Sequence, residues 1–318
     1  MAQTMVIVGI DVAKDKVDAA IRSAGATQPF TATAEGRRQL LKWLREHGVT
    51  RAVMEATGGY ERAWAEVLRE AGFDVWVVDP KRVRYFARSA GRLAKNDPID
   101  ADMIARFGEA FAEGKAAAHD PERQELDRLV SFRMALTALQ AQLGNQDEHQ
   151  PPDKVRKACR ALQKAFDTQL RGIETAIADK IEHTERFAER AEIIQSVPGL
   201  AATSAAGLIA LLPELGQASD KAVAALVGVA PYDDDSGKRQ GRRCIKGGRH
   251  KLRKLLFIPI VGAATRHNPV LKSYYKRLIA KGKPAKVALI ACMRKLIVIL
   301  NTMLVRKQKW DPAKHALA

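Results

Sequence analysis

The chain has 318 residues, 47% of them apolar, with 53 Lys or Arg against 36 Asp or Glu, a net charge of +17. That length allows two or three domains around a sizeable core, and so large a positive excess points to a polyanionic partner. Three scattered cysteines (Cys159, Cys244, Cys292) exclude a disulfide framework or a metal spacing, the first residues run into a strand rather than a signal peptide, and no run reads as the roughly 18 apolar residues of a membrane span, so a cytoplasmic, nucleic-acid-handling protein without a membrane partner is expected.

In chain order, "MVIVGIDVAKDKVDAAI" predicts a strand, a turn and a second strand. "EGRRQLLKWLREHG" has helical spacing and stops at Gly48, a C-terminal cap. "TRAVMEATGGY" predicts a short buried strand entering a Gly-Gly turn, "ERAWAEVLREAG" a helix, and "FDVWVVDP" a strand halted by Pro80. A basic segment with Arg82, Arg84, Arg88 and Arg92 follows, and "NDPIDADMIARFGEAFAEG" closes an α/β unit as a helix.

The pattern then changes. Leu129, Phe132, Leu136, Leu139 and Leu143 recur at alternating spacings of three and four, a coiled-coil seam. "GNQDEHQPP" breaks it, and a second helix carries Val155, Leu162, Phe166, Ile173 and Ile177. A helical hairpin inside one domain and an arm that dimerises are equally compatible with this pattern. From residue 191 the chain becomes short, glycine-punctuated helices followed by a basic helical tail. "IIQSVPGLAATSAAGLIALLPELG" has the form of a helix-hairpin-helix, a turn that can offer backbone N–H groups to a phosphate. The expected division is 1–121, 122–190 and 191–318.

Acids stand at successive element ends in the first unit. Asp11 ends the first strand, Glu55 ends a central one, and Asp97 and Asp100 open a helix, three residues apart on one face. Strand ends of an open α/β sheet converge on one edge, so these four can together hold one or two Mg²⁺ ions (Mn²⁺ in their place) for phosphodiester chemistry. Asp97 ahead of Pro98 reads equally as a helix cap, and Asp15, Asp18 and Asp102 read as surface charge.

The segment "YDDDSGKRQGRRCIKGGRHKLR" poses the second question. From Ser236 to Leu256 it holds nine Lys or Arg and no acid. By itself Ser236 reads as a solvated Asp-Ser-Gly turn, while the basic run reads as a nucleic-acid surface. Lys238, Arg239, Arg242, Arg243, Lys246 and Arg249 are the candidate contacts. Further candidate surfaces are the Arg82 to Arg92 segment, the set Arg156, Lys157, Arg160 and Lys164, and the tail around Lys272 to Lys286, each equally readable as a solvated helix face.

The ordered blocks "GIDVAK", "MEATGGY", "KNDPIDA", "SVPGL…LIALLPELG", "LVGVAP" and "SGKRQGRRCIKGGRHKLR", with the tail from "NPVLKSYYKRLIAKGK" onward, resemble the IS110-family transposases of the IS116/IS110/IS902 group over residues 5 to 311. The resemblance implies an RNase H-like (RuvC-like) α/β domain with a DEDD carboxylate set, a coiled-coil middle, and a mainly α transposase domain with a helix-hairpin-helix-like element. It maps the carboxylates onto Asp11, Glu55, Asp97 and Asp100 and the catalytic serine onto Ser236. "CIKGGRHKLR" departs from the Ile-Ser-Lys-like run expected there. The resemblance further implies a covalent serine–phosphate intermediate, donor and target DNA, a structured non-coding guide RNA, a homodimer able to pair into a tetramer, and association with the nucleoid on DNA. A Holliday-junction-resolvase-like nuclease that uses water explains the carboxylates but leaves the second domain idle, and intact acids at all four positions argue against an architectural nucleic-acid-binding protein with a dead site.

Overall fold

The computed structural model describes residues 5–91, 97–112, 120–148, 152–233, 241 and 243–315. They group into two compact units, Met1–His119 and Asp120–Ala318.

In the first unit five strands lie in the order β3-β2-β1-β4-β5. β1 (Ile7–Val12), β2 (Lys16–Ile21) and β3 (Ala26–Thr31) form an antiparallel meander, and β4 (Arg51–Glu55) and β5 (Asp74–Val78) run parallel to β1. Parallel strands covered on both faces read as continuous apolar runs, as "AVM" and "VWVV" do. Two helices, α1 (Ala34–Glu46) and α2 (Glu61–Glu70), bury Leu40, Trp43, Leu44, Trp64 and Leu68 against Val8, Ile10, Val12 and Met54 on one face. On the other, α3 (Pro80–Ser89) and α4 (Asp97–Ala110) place Val83, Met103, Ile104 and Phe107 over Ile7, Val53, Trp76 and Val78. The result is a three-layer α/β/α unit around a mixed sheet.

The sequence did not announce β3 or α3. β3 is a mostly exposed edge strand containing Pro29, a residue edge strands tolerate. α3 is capped by Asp79, whose side chain accepts from the Lys81 N–H at 2.8 Å, with Pro80 in the first turn.

The second unit begins with a long hairpin, α5 (Pro121–Glu148) and α6 (Asp153–Glu182). Its legs are antiparallel, pinned by Arg133 to Glu174 (2.8 Å), Gln140 to Asp167 (2.6 Å) and Lys180 to Glu125 (2.6 Å). Of the expected seam, Leu136 and Ile177 are buried, whereas Phe132, Leu139, Val155 and Leu162 are exposed. The base of the hairpin enters one core with α7 (Glu185–Gln195), α8 (Ala202–Leu211), α9 (Asp220–Val227), α10 (His250–Gly262), α11 (Pro269–Ala280) and α12 (Ala285–Arg306); α13 (Pro312–His315) ends the described chain. The turn between α7 and α8 has Gly199 at φ +96°, where a side-chain carbon would meet Ala263 at 2.7 Å. The turn is therefore packed as well as bent.

Contrary to the sequence expectation, one helix among the described residues, α12, is long and apolar enough to cross a membrane by composition, with a mean hydropathy of 1.9. More than half of its apolar stretch is buried within the unit, and Cys292, Met293, Leu296, Ile297 and Leu300 are core residues. Asn301 on the same helix is buried too. Its carbonyl accepts from the Gly216 N–H (2.7 Å), and its amide donates to the Ala218 carbonyl (3.0 Å) and the Asp220 carboxylate (2.8 Å).

Candidate active site

The parallel pairing of β1 and β4 sets Ile10 opposite Met54. The next residues along the two strands are Asp11 and Glu55. They stand side by side, with backbones about 4.8 Å apart and side chains on the same face. That face carries α3 and α4, and the contacts of α4 fix its direction. A side-chain carbon on Gly108 would strike Val53 at 2.8 Å and Ile7 at 3.0 Å, whereas one on Gly9 would collide with the backbone of Ala101 and Ala105. Moving along β1 from Ile7 to Gly9 therefore moves backwards along α4, and the next step, to Asp11, reaches the helix's first turn. Gly9 is required because the α4 backbone sits directly on β1.

Asp97 opens α4 and Asp100 lies one turn in, so the fold delivers both to the Asp11–Glu55 edge. Asp11, Glu55 and Asp100 are half-buried, and the side chain of Asp97 lies outside the described residues. Among the described residues no three Asp, Glu, His or Cys side chains already meet as a metal cage.

Two further acids bear on this edge. Asp18 on β2 pairs directly with Asp11, so a row Asp18–Asp11–Glu55 runs across three neighbouring strands. Expected as surface charge, Asp18 is instead 6% exposed and bonded to Lys16 at 2.9 Å. The signal was the alternation of β2, which puts Asp18 on Asp11's face once the hairpin register is known. Glu61 is 7% exposed and accepts from the Thr57 and Gly59 N–H groups at 2.9 and 2.8 Å. It pins the loop that leaves Glu55, a loop in which Gly59 takes φ +107°. Asp102 stays at the surface, 3.5 Å from Arg22.

α3 starts just beyond the carboxylate edge, since Glu55 pairs with Val78 at the end of β5. Arg84, Tyr85 and Arg88 are exposed on it. Arg82, also exposed, lies over the rings of Trp76, Phe107 and Phe111 at 5.3 to 5.9 Å.

In the second unit, Ser236, Lys238, Arg239 and Arg242 lie outside the described residues. Two short strands flank their segment. β6 (Pro231–Tyr232) pairs antiparallel with β7 (Cys244–Ile245), and Asp233 bonds Arg243 at 2.5 Å. That contact accounts for the first of the three aspartates before the serine. Beyond β7, Gly247 and Gly248 take positive φ, and Gly248 rests against the Gly228 backbone. The Arg249 N–H donates to the Leu226 carbonyl at 2.7 Å, and the Arg253 guanidinium donates to the carbonyls of Gly228 and Gly247, each at 3.0 Å.

The candidate contacts divide here. Arg249 forks onto both oxygens of Glu214 at 2.5 Å and reaches the Leu211 carbonyl at 2.9 Å, so its charge is spent inside the unit. Burial works to raise the Glu214 carboxyl, yet the bonds and charge of Arg249 outweigh it and hold the group below its usual range. Lys246 and Arg243 stand nearer the surface.

Comparison with known proteins gives two successive family matches, the first of which runs past the first unit into α5. Residues 8–149 match the DEDD transposase model of IS110 elements, a span containing Asp11, Glu55, Asp97 and Asp100. Residues 191–276, which contain Ser236, match the transposase model of the IS116/IS110/IS902 family. The chain is 26% identical to a pilin gene-inverting protein of Moraxella bovis, over 97% of this chain and 98% of that one. It is 25% identical, at the same coverage, to the pilin gene-inverting protein of Moraxella lacunata. It is also 32% identical over 151 residues to an uncharacterized 44.8 kDa protein of insertion element IS116 from Streptomyces clavuligerus, covering 46% and 37% of the two chains. The first match implies that the three-layer unit is an RNase H-like α/β domain. With two models of one family matching in order along it, the chain belongs to the IS110 (IS116/IS110/IS902) family of transposases, enzymes that recombine DNA.

Proposed function

We propose that this transposase cuts and rejoins DNA through a covalent bond between Ser236 and a strand phosphate, with Asp11, Glu55, Asp97 and Asp100 as the acidic half of its catalytic groups. The observation that carries the reading is the register of β1 and β4, which sets Asp11 beside Glu55 while Gly9 lets α4 bring Asp97 and Asp100 to the same edge.

A DEDD set is in general a divalent-metal set, and the donors suit Mg²⁺: all are carboxylates, the hard oxygen ligands that ion prefers. Asp11, Glu55, Asp97 and Asp100 would hold it, and when bound it supplies charge to stabilise the phosphate in flight. Ser236 Oγ forms a bond to phosphorus as the bond to the leaving strand's oxygen breaks; the serine proton passes to a base, and the leaving oxygen takes up a proton. The phosphoester is kept, so a strand hydroxyl can later attack it and expel the serine. Lys238, Arg239, Arg242, Arg243 and Lys246 neutralise the phosphate oxygens. In support, the β6–β7 ladder and the Asp233–Arg243 pair join the residues on either side of the basic segment.

The same reading assigns the chain's remaining positive charge to donor and target DNA and to a structured guide RNA whose pairing reads sequence. It assigns the exposed Phe132, Leu139, Val155 and Leu162 of the long hairpin to self-association, as a homodimer that can pair on DNA. The test of the acidic half is strand cleavage by Asp11→Asn and Glu55→Gln, each checked for wild-type circular dichroism. Cleavage should fall by about 10²–10⁴; cleavage within threefold of wild type removes the carboxylate edge from the reaction.

A further inference from the structure

Several cations of the second unit meet acids. Arg249 has Glu214, Lys307 has Glu189, Lys309 has Glu192, and Arg186 has Asp120 and Glu122. Arg277 on α11 and Lys295 on α12 form a different arrangement. The Arg277 guanidinium lies 5.1 Å from the centre of the Tyr274 ring, and the Lys295 ammonium lies 5.0 Å from the centre of the same ring. The two charges are thus within about 10 Å of one another, and neither bonds a carboxylate among the described residues.

They border a cleft of about 240 Å³, lined also by Pro269, Val270, Ser273 and Pro312. Pro269 and Val270 belong to the first turn of α11, a helix capped by Asn268, so the start of that helix borders the cleft. Lys295 is half-buried where it sits. Burial holds its ammonium below the usual range, and the charge of Arg277 pushes in the same direction. Two like charges drawn to one ring, with no acid between them, leave a field that an anion would relieve. The cation–π contacts fix the two side chains without neutralising them.

We infer that Arg277 and Lys295, held on the Tyr274 ring, form a binding site for the phosphates of a nucleic-acid backbone: one phosphate, or two successive ones of a strand. This rests on the nucleic-acid reading of the chain but assigns a place on α11 and α12, apart in sequence from the Ser236 segment. The site is electrostatic and takes no sequence information from the bases. Ser273, exposed on the same cleft, is available to donate to a phosphate oxygen.

The test compares wild type with an Arg277→Gln/Lys295→Met double variant, both checked for native circular dichroism. Binding to a duplex DNA and, separately, to a hairpin RNA is measured across a salt series. Each phosphate contact removed should lower the slope of log K against log salt by about 0.9 on duplex DNA. The double variant should therefore lose roughly one to two from the slope on whichever nucleic acid occupies the cleft, and Tyr274→Phe, which keeps the ring, should lose nothing. Unchanged slopes on both nucleic acids, with wild-type binding intact, overturn the inference and leave the recombinase reading standing. If the wild type binds neither nucleic acid, the reading itself fails. The melting midpoint with inorganic tripolyphosphate then decides the cleft alone: a rise in wild type that the double variant lacks supports an anion site, and equal behaviour overturns it.

Discussion

Asp11 and Glu55 draw their importance from one pair of residues behind them, Ile10 and Met54, whose register puts the two acids on adjacent strands and one face. Asp18 extends that row, and Lys16 holds its charge. Asp18→Asn should therefore lower cleavage less than Asp11→Asn, by about 10- to 100-fold, as befits a residue that orients rather than ligates; a steady-state cleavage assay on both variants checks the ranking. Arg249 teaches the opposite lesson. In the sequence it is one of nine cations in a basic run, yet its fork onto Glu214 makes it a support of the fold. Arg249→Met should cost about 1–3 kcal/mol in denaturant unfolding, leaving Glu214 half-buried without its partner, and should leave the salt slope of DNA binding unchanged. Arg243→Gln should reduce the slope and spare stability, its ion pair with Asp233 being exposed. The element ends that carry the proposed carboxylates Asp11, Glu55, Asp97 and Asp100 were legible because strand ends and helix starts have their own signals. Asp18, Glu61 and Arg249 were not, because their roles depend on partners 7, 4 and 35 residues away that only register and packing supply.

Among the elements, those with strong periodicity or clear punctuation were readable: β1, β2, β4, β5, α1, α2 and α4. β3 was hidden by its polar edge character and Pro29, and α3 by charge, since only Val83 on it is fully buried. The β6–β7 ladder is two residues long on each side and leaves no periodic trace. The burial of α12 left no amphipathic trace, because a helix surrounded by other helices is apolar on every side, like one surrounded by lipid. What marks it as a core helix is Asn301, whose amide meets three partners around Gly216, Ala218 and Asp220. Asn301→Leu should lower stability by about 1–3 kcal/mol in chemical denaturation, since it strands the Gly216 N–H and the Ala218 carbonyl. A loss below 0.5 kcal/mol would show that water replaces those bonds at little cost.

Across the whole molecule, charge governs two responses. The net charge of +17 predicts nucleic-acid affinity that falls steeply with salt. Acid stability has a nameable contributor in Asp120, which joins the start of α5 to Arg186 on α7 at 2.6 and 2.7 Å. Arg186 holds the Asp120 carboxyl below the ordinary aspartate value of 3.8 despite partial burial. Its folded pKa being depressed, the stabilisation is fully present above 3.8 and is lost as pH falls through the folded value. Unfolding of the second unit between pH 4.5 and 2 should therefore be less pH-dependent in Asp120→Asn than in wild type, a difference that circular dichroism melts at stepped pH would register.

The central claim is that Ser236 is the attacking group and that the bond it makes to DNA is conserved for rejoining. The direct measurement is a denaturing protein gel after incubating the chain with labelled donor and target DNA, its element's RNA and Mg²⁺. A labelled band should migrate with the protein in wild type and be absent from Ser236→Ala, with cleavage lost in parallel. Cleaved DNA without any protein-linked label, at the same rate in Ser236→Ala, would contradict it and make water the nucleophile.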